Sequence, residues 1–143
     1  MRYPETLVRG RLERRYKRFL ADVALGGETV TAHCGNPGSM LGLAEPGSEV
    51  WLAPNTNPKA KLAWRWEIAS QTVEAETARV GINTARANAI AEEAVAAGRI
   101  PALAGYESCR REVRYGRNSR IDLLLEDPAR PPAYVEIKSV TLR

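Results

Sequence analysis

The 143-residue sequence is short of the residues that most often announce a function, with one histidine, one phenylalanine and two cysteines. Cys34 and Cys109 lie far apart and form neither a disulfide framework nor a CxxC metal spacing, so both are expected to be reduced and buried. No apolar run approaches the roughly 18–20 residues of a membrane helix. The start, Met1-Arg2-Tyr3-Pro4-Glu5, leads into no apolar segment with a small-residue cleavage site, which leaves a secretory signal unsupported and makes the cytoplasm the expected location. Internal repeats and low-complexity stretches are lacking too.

What is present is basic charge in two places. The net charge of +4 hides a run in which Arg9, Arg11, Arg14, Arg15, Lys17 and Arg18 face Glu13 alone. In a second run Arg110, Arg111, Arg114, Arg117 and Arg120 face only Glu112. Guanidinium forks bind phosphate bidentately, and the adjacent Tyr16, Phe19 and Tyr115 offer faces for bases. The same clusters also suit a solvated strand face.

The pattern along the chain is mostly β. Strands are expected over 7–25, 28–34, 49–53, 62–69 and 72–80, with Gly26-Gly27 as a hairpin turn. About five short strands with regular turn signals match a small closed barrel of the OB type. The character changes at Asn83-Thr84, so a boundary is placed there, between domains 1–82 and 83–143. An Ala-rich helix is expected over 85–97, with Thr84 as N-cap, Gly98 at C′ and an apolar stripe of Ala87, Ile90, Ala91, Ala94 and Val95. Strands over 111–115, 119–125 and 133–141 follow, making the whole α+β.

The last hairpin holds the most informative residues. Centring its turn on Ala129 places Asp122 opposite Glu136 and Arg120 opposite Lys138, while Ile121, Leu123, Val135 and Ile137 point to the other face. Two facing carboxylates repel unless a cation sits between them. Their oxygens, with the Ile137 carbonyl, suit Mg²⁺, and Lys138 is placed to hold or deprotonate a water for attack on phosphorus. Surface ion pairs worth roughly 0–1 kcal/mol each would use the same residues. His33 is open to two readings, base or ligand against structural residue. Asn36, Ser39 and Met40 are open between ligand contact and turn chemistry, and Trp51, Trp64 and Trp66 between stacking platforms and core.

Several strings carry a resemblance: Arg15-Tyr16-Lys17-Arg18-Phe19-Leu20-Ala21-Asp22-Val23, His33-Cys34-Gly35-Asn36-Pro37-Gly38-Ser39-Met40, Pro46-Gly47, Asn83-Thr84, Glu112-Val113-Arg114-Tyr115-Gly116, Ser119-Arg120-Ile121-Asp122 and Tyr134-Val135-Glu136-Ile137-Lys138-Ser139-Val140-Thr141-Leu142. In that order they resemble the sugar fermentation stimulation protein A (SfsA) family. The resemblance implies an N-terminal OB-fold barrel followed by a PD-(D/E)xK nuclease-like α/β domain, in a prokaryotic cytoplasmic DNA-binding protein linked to sugar-utilisation genes. It implies Asp122, Glu136 and Lys138 as a nuclease triad with Mg²⁺ on Asp122 and Glu136, and Glu93 as the helix carboxylate. It also favours Arg14, Arg15, Lys17 and Arg18 as phosphate contacts, and the second basic run offers Arg114, Arg117 and Arg120 for the same role. Gly35 departs from the proline expected before Asn36. The family is longer, so the rest of the nuclease-like domain is expected to be missing here, and activity of this chain alone is not expected. A non-catalytic DNA-binding regulator and a single-stranded RNA binder are the alternatives.

Overall fold

A computed structural model describes residues 2–141; Met1, Leu142 of the last matching string, and Arg143 lie outside the described residues. The described chain divides into two compact units, residues 2–84 with 140–141, and residues 85–139.

The first unit is a β-barrel of β1 (Val8–Tyr16), β2 (Leu20–Leu25), β3 (Glu28–Cys34), β4 (Glu49–Pro54) and β5 (Trp64–Val73), with β6 (Glu76–Gly81) added outside β5. The strands run β3-β2-β1-β4-β5-β6, and a parallel β3–β5 pairing closes the first five into a ring. Closure removes the free edges that an open sheet would expose. Gly26 and Gly27, at φ 59° and 92°, form the β2–β3 turn, as the sequence pattern predicts. The strand expected over 72–80 is instead broken at Glu74 and Ala75, whose φ of 49° and 70° make a tight turn between β5 and β6. Neither residue is glycine, so the usual sequence signal for such a turn was missing.

Alternation along β1 buries Gly10 and Leu12 while arginines point out. Leu12, Val23, Leu43, Leu52, Trp66 and Ile82 fill the barrel. Trp66 is fully buried and donates from its indole to the Ile68 carbonyl at 2.9 Å. Trp64 packs against this core half-buried, and the Trp51 ring carries the Arg79 guanidinium 4.7 Å from its centre. The tryptophans therefore serve the barrel.

The second unit holds α1 (Ala85–Ala96), a single 3₁₀ turn (Pro101–Leu103), and the antiparallel sheet β7 (Ser108–Tyr115), β8 (Ser119–Asp127) and β9 (Arg130–Val135). Gly98, at φ 64°, ends the helix: its N–H donates to the Val95 carbonyl and that of Arg99 to the Ala94 carbonyl. The apolar stripe is rotated from the expected one. Ala91 and Val95 meet Leu123 and Leu125, whereas Ile90 is 49% exposed. The reason is polar, since Asn88 and Glu92, on that inner side, reach β7 and β8. Cys34 is buried, but Cys109 is exposed on edge strand β7, contrary to expectation. The final strand is β9 at Arg130–Val135 rather than 133–141. Pro131 and Pro132 are accommodated because β9 is an edge strand, where a missing N–H breaks no ladder. None of the described helices is long and apolar enough to cross a membrane.

Candidate nucleic-acid and metal site

The register of the last hairpin matches the sequence estimate. Leu123 pairs with Val135, Leu124 with Tyr134 and Leu125 with Ala133, the alignment that would continue to Asp122 and Glu136. Pairing stops at Val135, so Glu136 lies one residue beyond the ladder. Asp122 takes over there: its Oδ2 accepts the Ile137 N–H at 2.7 Å and its Oδ1 accepts the Asn88 amide at 3.0 Å. The carboxylate is thereby fixed between helix and strand, while each oxygen keeps a further lone pair.

Glu136 and Lys138 contact each other as an exposed ion pair. Hydrogen bonding to Glu136, then its charge and that of Asp122, hold the Lys138 ammonium above the ordinary lysine range. Lys138 is thus kept as a cation, suited to orienting an anion and ill-suited to removing a proton. Asp122 and the Glu136–Lys138 pair lie within electrostatic reach of one another, but among the described residues no three His, Cys, Asp or Glu side chains form a ready cation cage. Glu93 is exposed on α1. Its neighbour Glu92 is the one turned to the sheet, 3.3 Å from the Arg111 guanidinium.

Two participants escaped sequence reasoning. Glu112 lies across β7–β8 from Asp122, between the pairs Arg111–Leu123 and Val113–Ile121, and Asn88 spans both carboxylates, 3.4 Å from Glu112 and 3.0 Å from Asp122. Counting outward from the Gly116 turn would have found Glu112. Asn88 stands one helical turn before Glu92, a signal visible only once the inner face is known.

The arginines divide by what they already hold. Arg14 donates to Asp22 at 2.8 Å, and Asp22 also accepts the Tyr16 and Thr31 hydroxyls. The Arg14 hydrogen bond leads in holding this carboxyl below the ordinary range. Arg15 spends its donors on the carbonyls of Arg18, Asn36, Gly38 and Ser39, clamping the loop after β3 to the β1–β2 turn. Asn36 and Met40 are buried within that loop. Lys17 and Arg18 stand exposed on the turn itself. In the second unit Arg114 lies directly opposite Arg120, and both line a groove of about 240 Å³ with Arg117. Like charges facing across strands repel, and a phosphate between them would relieve this. His33 is exposed on β3.

Residues 14–80 match the family model described as the SfsA N-terminal OB domain, and residues 85–143 match that of the sugar fermentation stimulation protein RE domain. The chain belongs to the SfsA family. Over 144 aligned residues covering 100% of the chain it is 60% identical to the sugar fermentation stimulation protein homolog of Rhodospirillum centenum. Over the same length and coverage it is 57% identical to that of Paramagnetospirillum magneticum. It spans 60% and 59% of those two relatives. A solved structure of Pyrococcus furiosus SfsA in complex with Ca²⁺ superposes with a TM-score of 0.77 at 26% identity, covering 100% of this chain and 59% of that one.

Proposed function

We propose that this SfsA chain binds DNA and carries the divalent-cation carboxylates of a phosphodiester-hydrolysing site that the full-length protein uses with Mg²⁺. One observation carries the reading: Asp122 is held by two donors within electrostatic reach of the Glu136–Lys138 pair. Asp122 and Glu136 would hold the ion, since they are hard oxygen donors with lone pairs to spare. When bound, the ion supplies Lewis acidity toward a phosphate oxygen. Arg114, Arg117 and Arg120 bind the phosphate backbone, and Lys138 orients the scissile phosphate through its retained positive charge. The Pyrococcus furiosus relative is described in complex with Ca²⁺, which supports divalent-cation binding in the family.

A supercoiled plasmid incubated with Mg²⁺ and the protein at the length of its relatives tests the hydrolase. Nicking that disappears in Asp122→Ala and Lys138→Ala is expected. The raised Lys138 favours a second reading, a non-catalytic DNA-binding regulator of sugar-utilisation genes that keeps the fold as scaffold. Intact binding with no cleavage of any plasmid or branched substrate would establish that one. In either case duplex affinity should fall steeply with salt as counterions are released, and a flat response would remove the DNA reading.

A further inference from the structure

The barrel unit holds a cavity of about 460 Å³ lined by Phe19, Leu20, His33, Asn55, Lys61 and Leu62. Its most unusual wall is Phe19, the only phenylalanine of the chain, left 51% exposed. The side chain is presented by a strained turn, since Lys17 and Arg18 before it take φ of 49° and 65°. These are left-handed conformations that non-glycine residues avoid. The turn is braced rather than loose: Arg15 donates to the Arg18 carbonyl at 2.7 Å, and the Cys34 N–H donates to the Phe19 carbonyl at 2.8 Å. The opposite wall is braced as well. Asn55 donates to the Leu62 carbonyl at 3.2 Å and receives the Asn57 N–H at 3.3 Å, which fixes the β4–β5 connection that carries Lys61.

A half-exposed apolar ring that shares its cavity with Lys61 and directly follows the exposed Lys17 and Arg18 in the chain has the complementarity of one nucleotide, a flat base attached to an anionic phosphate. We infer that this cavity seats an unpaired base of single-stranded DNA, stacked on Phe19, with its phosphate held by Lys61 and the turn cations. Bases in a duplex stack on each other and cannot reach such a wall without flipping out. The occupant is taken as DNA because the inference builds on the DNA-binding reading, and a ribose strand is tested beside it. The inference rests on the DNA-binding reading and adds a preference for unpaired strands.

The test is fluorescence anisotropy with a thymidine oligonucleotide of about 12 nucleotides, a duplex of equal length and a uridine RNA of equal length. Phe19→Ala is expected to weaken the single-stranded DNA by about 5- to 150-fold, with Phe19→Trp retaining binding. Duplex affinity should change little, and Lys61→Ala should lower the salt slope by about 1. Phe19 is 51% exposed, so thermal melting of the variants should stay close to that of the parent. Unchanged single-strand affinity in Phe19→Ala overturns the pocket, as does parent protein that binds duplex alone, and in both cases DNA binding itself survives. Tighter binding of the RNA overturns the assignment to DNA. Parent protein that binds no nucleic acid removes both the pocket and the reading beneath it.

Discussion

The barrel and the three-stranded unit solve the same problem with unequal means. The barrel closes on itself and buries Trp66, Leu12, Leu43, Leu52 and Ile82 almost completely. Among the described residues the smaller unit leaves β7 and β9 as edges and fully buries Leu123 and Leu125 alone between sheet and helix. Burial is the main source of stability, and an open sheet of three strands with one helix is near the lower limit of what holds together. The rigid unit thus carries a pocket framed by braced loops, while the carboxylate cluster sits on the softer one. Positioning there depends on individual hydrogen bonds to a degree that the barrel does not require.

The strongest way to break this contrast is Trp66→Ala, expected to cost about 3–5 kcal/mol by emptying the centre of the barrel. Hydrogen exchange should show β1 to β5 losing protection while β7 to β9 keep theirs. Equal loss in both units would mean that they unfold as one. Gly10→Ala comes next. A Cβ there would stand 2.6 Å from the Val23 side chain and 2.8 Å from the Ala24 carbonyl, so overpacking of about 1–3 kcal/mol is expected in urea denaturation.

Asp22→Ala sharpens the comparison through pH. The folded Asp22 carboxyl is held below its ordinary value by Arg14, Thr31 and Tyr16. A depressed carboxyl stabilises the fold above its unfolded value near about 3.9, and that contribution is lost as pH falls through the lower folded value. The variant should therefore be less stable than the parent by about 1–2 kcal/mol at neutral pH, with the gap closing below about pH 4. A gap that stays constant to pH 2 would show that the contribution is not ionic.

How much of this was legible in the sequence follows the same division. Barrel strands could be read because alternation, as in β1, reports directly on which residues face a core. The register of the final hairpin could be read because its turn residues allow a centre at Ala129, which places Leu123 opposite Val135. Helix rotation could not. In α1 alanine dominates, so the stripe carries little hydrophobic contrast, and Asn88 and Glu92 decided the inner face through polar contacts that no apolar pattern records. The Glu74-Ala75 turn was hidden for a related reason, as its backbone conformation is imposed by the β5–β6 ladder and not by residue type.

Asn88→Ala is the smallest change and the one aimed most directly at the soft unit. Its amide bridges Glu112 and Asp122, two carboxylates facing each other across β7 and β8. Removing it deletes a donor to a charged group that is only partly buried, a loss of about 1 kcal/mol in stability. The removal also frees Asp122 on one side while Ile137 still holds the other, so the carboxylate gains rotational freedom it must surrender to grip an ion. Calorimetric titration with Ca²⁺ should then show weaker binding in Asn88→Ala, with Asn88→Asp no substitute because a third carboxylate would repel the other two. If Asn88→Ala binds Ca²⁺ as well as the parent, the helix contributes nothing to the carboxylate cluster, and the cluster is no softer than the barrel.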